Sequence, residues 1–174
     1  SEIVNHVVNM KELTFLQLQG NKISDLSSLS GLTKLQTLNL ADNAIKANCT
    51  IEPLFALTEL RELNLGSALS SKTAGVSSIV KSDGSLAWPH LEKIDLTRGW
   101  SNWGGVTDKL IELDCDGTLQ VAADWRYTQA KSSTLTYWTS KVHQDGATYY
   151  VNYDDFGARH NGTYDDYVAM VQAH

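Results

Sequence analysis

By residue type and spacing, two aspartates near residue 115 are the residues of this chain best suited to covalent chemistry. Asp114 and Asp116 follow the mostly apolar segment Leu110–Leu113 and precede Gly117 and Thr118. A carboxylate at the end of a buried strand can attack a phosphoryl group and carry a covalent intermediate. The same oxygens suggest a calcium loop, but the ligand order and the terminal glutamate of an EF-hand are absent.

The string from Asp114 to Leu119 is similar to the signature of haloacid-dehalogenase-type phosphatases. Those enzymes need a doubly wound domain with lysine and aspartate motifs well downstream, and only 55 residues follow Leu119. A repeat strand with Leu110, Leu113 and Cys115 pointing inward explains the same residues. We therefore interpret the segment as structural and predict that the protein is not an enzyme.

The other ionisable residues lack the spacing that catalysis or metal binding requires. The pairs Asp154–Asp155 and Asp165–Asp166 fit a solvated loop and a helix N-terminus better than an acid–base site. The five histidines form no HExxH motif and no zinc-binding spacing with cysteine. We therefore predict no cofactor and no metal site.

Charge and hydropathy bear on two further classes of partner. The net charge of −6 makes nucleic acid a poor partner. No stretch approaches the ~18 apolar residues that a membrane-spanning helix needs, so no span is predicted. A hydrophobic content of 42% over 174 residues suffices for one core, or for a solenoid with a small cap.

An internal repeat decides the predicted architecture. The pattern Leu-x-x-Leu-x-Leu-x-x-Asn-x-Ile occurs over 13–23 and again over 35–45, starting 22 residues later. A repeat of this period is typical of solenoids. The Leu-x-Leu alternation puts two side chains on one face of a short strand, and the asparagine can bond the backbone of stacked turns. Between the copies, Leu26, Leu29 and Leu32 suit a helical or 3-10 return on the opposite face.

The repeat resembles the leucine-rich-repeat family, in its 22-residue bacterial form, as in internalin-like surface proteins. Two repeats match in full and three later segments match at the strand, so the resemblance covers roughly residues 1–120. It implies an α/β solenoid with a parallel concave sheet, short helical or 3-10 convex returns and a protein-binding role. It also implies a secreted or bacterial cell-surface location. The three later segments are Leu60–Leu65, Leu91–Leu96 and Leu110–Cys115.

The later repeats depart from the family pattern in two ways. Ala68, Gly99 and Thr118 stand where the asparagine should recur. Between Leu65 and Leu91 the chain also contains extra Gly, Ser and Asp residues, which are loop signals. We therefore place a long insertion there, on the convex side or at an edge.

The composition changes near residue 120, where the leucine repeat stops and the seven tyrosines begin. We predict a solenoid domain over 1–120 and a C-terminal cap over 121–174. The cap contains a β-hairpin with Asp145-Gly146 as its two-residue turn, and a helix from Thr163 to Ala173. The predicted hairpin pairs are Val142 with Tyr149, Ser140 with Val151 and Trp138 with Tyr153.

The side chains between the strand leucines are predicted to line the concave face. Solenoids bind partners on such extended sheets, and the resemblance implies a protein ligand there, expected to be a host or surface protein. The face is predicted to run from neutral amides to a carboxylate-rich end. The predicted contact residues are Phe15, Gln17, Asn39, Glu62, Asn64, Lys93, Asp95, Glu112, Asp114 and Asp116, with Trp100 and Trp103 in the loop after the fourth strand.

Two other readings stay open. Trp100, Trp103, Trp125 and the tail tyrosines could stack on sugar rings, which would make the protein a carbohydrate-binding module. The chain also opens in mid-repeat, which predicts a fragment whose exposed N-terminal end, with Val4, Val7 and Val8, self-associates.

Overall fold

A computed structural model describes residue 7, residues 9–45, 49–69, 73–98 and 105–139, and the strands 142–145 and 148–151. The chain forms two compact units, Ser1–Ala130 and Lys131–His174. The predicted domain boundary at residue 120 falls at the first residue of the fifth strand. Whether the two predicted segments fold as separate domains stays a prediction.

The first unit is built on a parallel sheet of five strands in chain order, counted over the described residues. The middle residues of the strands, Leu16, Leu38, Leu63 and Ile94, are buried and stand in register with one another. Their flanking residues turn to the other face, as strand alternation requires. The predicted solenoid is thereby confirmed. The strands are β1 (Phe15–Gln17), β2 (Thr37–Asn39), β3 (Glu62–Asn64), β4 (Lys93–Asp95) and β5 (Gln120–Ala122).

In the described residues, three short 3-10 helices return the chain behind the sheet, as the leucine spacing predicts. They are η1 (Ser27–Gly31), η2 (Glu52–Ala56) and η3 (Val76–Ile79). Leu29, Leu54 and Ile79 are buried at the same place of successive repeats, and η3 buries Val76 as well. In η1 the Leu29 amide donates to Leu26 O at 2.9 Å, the i to i+3 bond that defines a 3-10 turn.

The repeated asparagine joins one turn of the solenoid to the next. Asn43 is buried, and its Nδ2 donates to Leu18 O at 2.8 Å and to Leu40 O at 2.9 Å. The Ile23 amide donates to Asn43 Oδ1 at 3.0 Å. One carboxamide therefore bonds both its own turn and the preceding one. This confirms the predicted role of the asparagine.

The predicted insertion before β4 contributes to the core. It contains η3 and the fully buried Trp88, whose Nε1 donates to Leu54 O at 2.7 Å. The Trp88 ring meets Phe55 edge-to-face, with centroids 5.3 Å apart. The buried indole contributes to the core of the third repeat, which is the longer one and spans Leu63 to Ile94.

The prediction that Leu110–Cys115 is a strand is wrong. The segment belongs to helix α1 (Gly105–Cys115), which buries Val106, Leu110 and Ile111 at helical spacing. Gly117 follows the helix with φ of +82°, the left-handed conformation common just beyond helix C-termini. The fifth strand is β5, where Val121 pairs with Ile94.

Helix α2 (Trp125–Thr139) begins after Asp124, whose Oδ1 accepts the Arg126 amide at 3.0 Å. A side chain that accepts a hydrogen bond from a backbone amide at the start of a helix is an N-cap. The helix includes residues 137–139, which were predicted as part of the hairpin.

In the described part of the chain, no helix has the length and apolarity that a membrane crossing requires.

The second unit contains an antiparallel hairpin of β6 (Val142–Asp145) and β7 (Thr148–Val151). The hairpin is confirmed, but its predicted register is wrong: Val142 pairs with Val151, and Asp145 pairs with Thr148. The pairing leaves residues 146 and 147 between the strands in place of 145 and 146. The predicted helix from Thr163 to Ala173 lies outside the described residues.

Candidate functional site

The sheet has one face that the 3-10 returns do not cover, and we call it the open face. It carries the first and third residues of each strand, which are exposed or half-buried; the middle residue is buried in β1 to β4 and half-buried in β5. Strand pairing aligns these residues into rows across the sheet. The first row is Phe15, Thr37, Glu62, Lys93 and Gln120, and the second is Gln17, Asn39, Asn64, Asp95 and Ala122.

Phe15 is the open face's exposed aromatic. It lies at the β1 end of the first row and exposes 57% of its surface. An exposed aromatic residue beside a polar groove is a candidate contact for a partner, because aromatic anchors are enriched at the centres of interfaces. Phe15 pairs in register with Thr37 of β2 on this face, and its role as a contact residue stays a prediction.

The second row performs a structural task in the turns that leave the strands. Asn39 Oδ1 accepts the Ala41 amide at 3.0 Å, Asn64 Oδ1 accepts the Gly66 amide at 2.9 Å, and Asp95 Oδ1 accepts the Thr97 amide at 2.9 Å. Each is a side chain bonding the backbone two residues on, as in an Asx-turn. The bonds fix the orientation of each side chain on the open face.

The same turns hold one residue each in the left-handed backbone region. Gly20 has φ of 71°, and the positions two residues after each following strand-end leucine have φ of 54° at Asp42, 58° at Ser67 and 56° at Arg98. Non-glycine residues are uncommon in this region. The recurrence shows that the turn geometry is a property of the repeat. It also brings Asp42 and Arg98 to the rim of the open face.

A depression of about 160 Å³ lies along the middle of the open face. Glu62 and Lys93 are register partners across it. The ion pairs among the described residues join other side chains, such as Lys34 to Glu12 at 2.5 Å. The charges of the depression are therefore available to a ligand. Its lining comprises Gln17, Thr37, Leu38, Asn39, Glu62, Leu63, Asn64, Lys93 and Asp95.

The carboxylate-rich end predicted for this face is wrong, because β5 contributes Gln120 and Ala122 instead of Glu112 and Asp114. Glu112 lies on α1 and pairs with Lys109 at 2.9 Å. Asp116 follows α1 and accepts the Thr118 amide at 2.8 Å. Glu112 therefore stabilises a helix and Asp116 a turn, and neither belongs to the sheet.

Asp114 also lies on α1, where it bonds a buried tyrosine. The Tyr127 hydroxyl donates to Asp114 Oδ2 at 2.9 Å and lies 3.2 Å from Leu110 O. Burial, followed by the neighbouring Asp114 carboxylate, raises the pKa of Tyr127 well above its usual range. Asp114 therefore joins α1 to the start of α2, a placement that does not suit a nucleophile at a strand end.

The predicted aromatic loop cannot be placed, because Trp100 and Trp103 lie outside the described residues. Trp125 is described and 69% exposed, with the Arg126 guanidinium 5.6 Å from its ring centroid. In the described residues, no three His, Cys, Asp or Glu side chains are grouped so that they could share a metal ion.

Asp42 is a residue of the open face that the sequence reasoning missed. It stands two residues after Leu40, where Arg98 stands after Leu96. The signal was available, because each copy of the repeat brings the same position to the same rim. Gln120 was missed for a different reason, since its strand carries too few apolar residues to be recognised.

Residues 11–54 match the family model described as "Leucine Rich repeats (2 copies)". The fold is that of a leucine-rich-repeat solenoid. No curated protein is significantly similar to the chain. Leucine-rich-repeat domains generally mediate protein–protein interactions and are typically non-enzymatic.

Proposed function

We propose that this leucine-rich-repeat solenoid is a non-catalytic module that binds a protein partner on its open face. The observation that carries the proposal is Phe15, which exposes 57% of its surface at one end of a row of polar side chains. The core is complete without it, since the middle strand residues supply the buried layer. An exposed aromatic beside a polar groove has the composition of an interface anchor.

The polar residues of the open face suit a partner with both donors and acceptors. Gln17, Asn39 and Asn64 offer amides, while Glu62 and Lys93 offer charges of opposite sign. The turn bonds of Asn39 and Asn64 already fix their side chains. A ligand therefore meets preorganised groups and loses less side-chain entropy on binding.

We further propose that the protein is of the bacterial 22-residue type, internalin-like, and secreted or displayed at the cell surface. The 22-residue spacing from Leu16 to Leu38 supports this. The partner is then expected to be a host or surface protein. Such a partner would be retained from a host-cell surface extract and not from a cytosolic extract.

The test is a pull-down with the full immobilised chain from a host-cell surface extract, followed by mass spectrometry. Phe15→Ala should reduce retention of a discrete protein by about tenfold, as expected when an interface anchor is truncated. Met10→Ala is the matched control, because Met10 is 54% exposed but lies outside the strand rows. Equal loss with both variants, or no loss with Phe15→Ala, would overturn the proposal.

A carbohydrate-binding role is the second candidate, and the exposed Trp125 is the observation that favours it. Tyr127, one of the tyrosines proposed to stack on sugars, is 2% exposed and cannot serve. The same pull-down after deglycosylation of the extract separates the two functions. Loss of retention on deglycosylation and with Trp125→Ala, but not with Phe15→Ala, would favour sugar binding.

Self-association through the N-terminal segment stays a prediction. Val7 is half-buried and packs against the core, while Val4 and Val8 lie outside the described residues. Light scattering over a range of protein concentrations would test it. A mass that stays monomeric at every concentration would contradict it.

A further inference from the structure

The backbone of β1 is unpaired on the edge that faces away from β2. Thr14 O accepts the Thr37 amide at 3.0 Å, and the Leu18 amide donates to the last residue of β2 at 2.8 Å. Neighbouring residues of a strand direct their backbone groups to opposite edges, so those of Phe15 and Gln17 point away from β2. In the described residues, these groups have no hydrogen-bond partner, because β1 is the first strand of the sheet and pairs with β2 alone.

β1 lacks the features that protect an exposed edge. Edge strands are commonly blunted by a charged side chain, a proline or a β-bulge. Residues 13–19 include neither a charged residue nor a proline, and β1 pairs with β2 residue for residue. From Phe15 to Gln19, exposed and buried side chains alternate, as a paired strand requires. The edge is therefore competent to bind another strand.

The return that precedes β1 is in place, as it is in the later repeats. The Met10 amide donates to Val7 O at 2.9 Å, and the Leu13 amide donates to Met10 O at 3.0 Å. The same two bonds recur in the next return, over residues 29–35, at 3.0 and 2.9 Å. That later return lies between two paired strands, since β1 precedes it and β2 follows it. In the described residues, the return over 7–13 has a strand on one side only.

Core positions beside the free edge are covered less completely than their counterparts in the next repeat. Val7 is half-buried, whereas Leu29 at the same place is 0% exposed. Leu13 is half-buried as well, whereas Leu35 is 0% exposed. The middle residues of neighbouring strands stand side by side, as in β1 and β2. An apolar side chain opposite Leu16 would therefore cover this end of the core.

A carboxylate just before β1 gives the edge a preference for charge. Glu12 pairs with Lys34 of the next turn through Oε2 at 2.5 Å, and its side chain is 81% exposed. The two residues stand at the same place before β1 and β2, so parallel register brings them together. A further parallel strand would bring the same position beside Glu12 from the other side. A basic residue is favoured there, because Glu12 Oε1 has no ion-pair partner among the described residues.

The return already in place decides between two kinds of occupant. A second copy of the chain would contribute its own β1 and its own return, and two-fold pairing of β1 would direct both returns to the same place behind the edge. Two-fold pairing is also antiparallel, which would remove the alignment with Glu12. A single extended strand needs only the edge, so it fits without displacing residues 7–13.

We propose that the protein partner adds one extended strand, parallel to β1, at the free edge of the sheet. Its backbone bonds the amide and carbonyl groups of Phe15 and Gln17, in the mode by which peptides extend exposed sheets. An apolar side chain lies opposite Leu16, and a basic side chain closer to the N-terminus of the strand faces Glu12. The inference rests on the proposed function, since it describes how the partner docks beside Phe15.

The probe is a synthetic peptide with the sequence of residues 34–41, capped at both ends. This segment pairs with β1 in the parallel register that the proposal requires, and it carries Lys34 and Leu38 at the required places. In an NMR titration of the full chain, the shifts should centre on the Phe15 and Gln17 amides, and hydrogen exchange at both should slow. Shifts confined to other residues, or an absence of shifts at millimolar peptide, would overturn the proposal.

Two methylated peptides provide a matched comparison. A methyl group on the Leu38 nitrogen removes the amide that bonds Phe15 O, whereas a methyl group on the Asn39 nitrogen removes an amide that faces away from β1. The first should weaken binding at least about tenfold, the scale of one unsatisfied backbone group, and the second less than about threefold. The protein is unchanged in this comparison, so its folding cannot cause the difference. Equal weakening by the two methyl groups would overturn the proposal.

Two variants of the chain test the edge itself. Gln17→Pro removes the outward amide and leaves the bonds to β2, and proline is tolerated at such edge positions. It should weaken peptide binding at least about tenfold. Glu12→Gln should weaken it about twofold to fivefold, the scale of one exposed ion pair. Asp83→Asn is the control for net charge, since Asp83 is an exposed acid in the loop after η3, and equal weakening by this control would overturn the proposal.

Two further readouts separate the outcomes. Thermal unfolding of Gln17→Pro is measured beside binding, and the methylated peptides keep the test decisive if this variant is unstable. A dimeric mass of the free chain in light scattering, lost when the peptide is added, would assign the edge to a second copy and overturn the proposal. Partner retention that depends on Phe15 but survives Gln17→Pro and excess peptide would overturn the added strand alone. Loss of the dependence on Phe15 would overturn the proposed function.

Discussion

Replacement of Asn43 by alanine should destabilise the solenoid more than any other single change to a polar side chain of the repeat. The substitution removes a carboxamide that bonds Leu18 O at 2.8 Å and the Ile23 amide at 3.0 Å in the preceding turn. Leu18 and Ile23 are 3% and 1% exposed, so water cannot readily replace the lost partner. The Leu18 carbonyl keeps the Asn21 side chain as a donor, so the buried groups left unsatisfied are the Ile23 amide and the Leu40 carbonyl. A buried polar group left unsatisfied costs about 1–3 kcal/mol, and two such groups give a loss of roughly 2–6 kcal/mol.

Asn21 provides the matched control, because it has the same residue type at the same place one repeat earlier. Its Nδ2 donates to Leu18 O at 2.9 Å and Gln19 O at 3.2 Å, both in its own turn, and Asn21 is only half-buried. Asn21→Ala should therefore cost about 0.5–1 kcal/mol. The difference between the two variants measures the bonds that join the two turns.

Urea unfolding followed by circular dichroism checks this prediction. With a slope of about 2 kcal/mol/M, the midpoint for Asn43→Ala should fall by about 1–3 M, and that for Asn21→Ala by less than about 0.5 M. Hydrogen exchange at the Ile23 amide should lose protection in the first variant and keep it in the second. Equal midpoints for the two variants would refute the reasoning that the buried asparagine joins adjacent turns.

The remaining predictions concern the core, a buried tyrosine and the surface. Trp88→Phe should lower the free energy of unfolding by about 1–3 kcal/mol, because the Leu54 carbonyl loses one of its two donors and the smaller ring leaves a cavity in the core. Urea unfolding measures this loss, and an unchanged midpoint would contradict it. The raised pKa of Tyr127 means that the folded state keeps the phenol proton where the unfolded state loses it, so this contribution is complete below about pH 10 and lost as pH rises further. Alkaline unfolding curves of wild type and Tyr127→Phe should therefore differ in slope above that pH, whereas parallel curves would refute the buried phenol. Lys34→Gln removes an ion pair that is more than half exposed and should change stability by less than about 1 kcal/mol; a larger loss in urea unfolding would show that the pair is stronger than its exposure implies.

The sequence predicted the first four strands because each carries the same apolar spacing. In β1 to β4 the middle residue and the leucine two positions later are both large and apolar, as in Ile94 and Leu96. Burial of that pair is the energetic reason for the strand. The short 3-10 returns were predictable on the same ground, since Leu29 and Leu54 recur at one place in the repeat.

The fifth strand was missed because its apolar pattern has almost vanished. By register, Val121 stands where Ile94 stands and Ala123 where Leu96 stands. The backbone still continues the sheet, as the Gln120 amide donates to Glu92 O at 2.8 Å. Leu110 and Leu113, which were predicted to lie in a strand, lie in α1. Their spacing of three residues suits a helix equally well.

The candidate site was predictable in its position and not in its chemistry. Alternation along a strand assigns Phe15 and Asn64 to the open face without any coordinates. The accepting orientation of the Asn64 side chain depends on a backbone bond within a turn, and one sequence does not reveal it. The charge of the face was misjudged because it followed from the wrong fifth strand.

The second row has a structural task and a proposed binding task, and this constrains how its function can be measured. Asn39, Asn64 and Asp95 each bond the turn that follows their strand. Alanine at any of them would remove a proposed ligand contact and also release a turn in which a residue holds φ above 50°. Loss of binding would then have two explanations. Exchange of asparagine and aspartate keeps the accepting oxygen while changing the charge, so the difference between the alanine variant and the isosteric variant isolates the contribution of the turn. If binding follows charge while stability follows the retained oxygen, the row serves both tasks with different atoms.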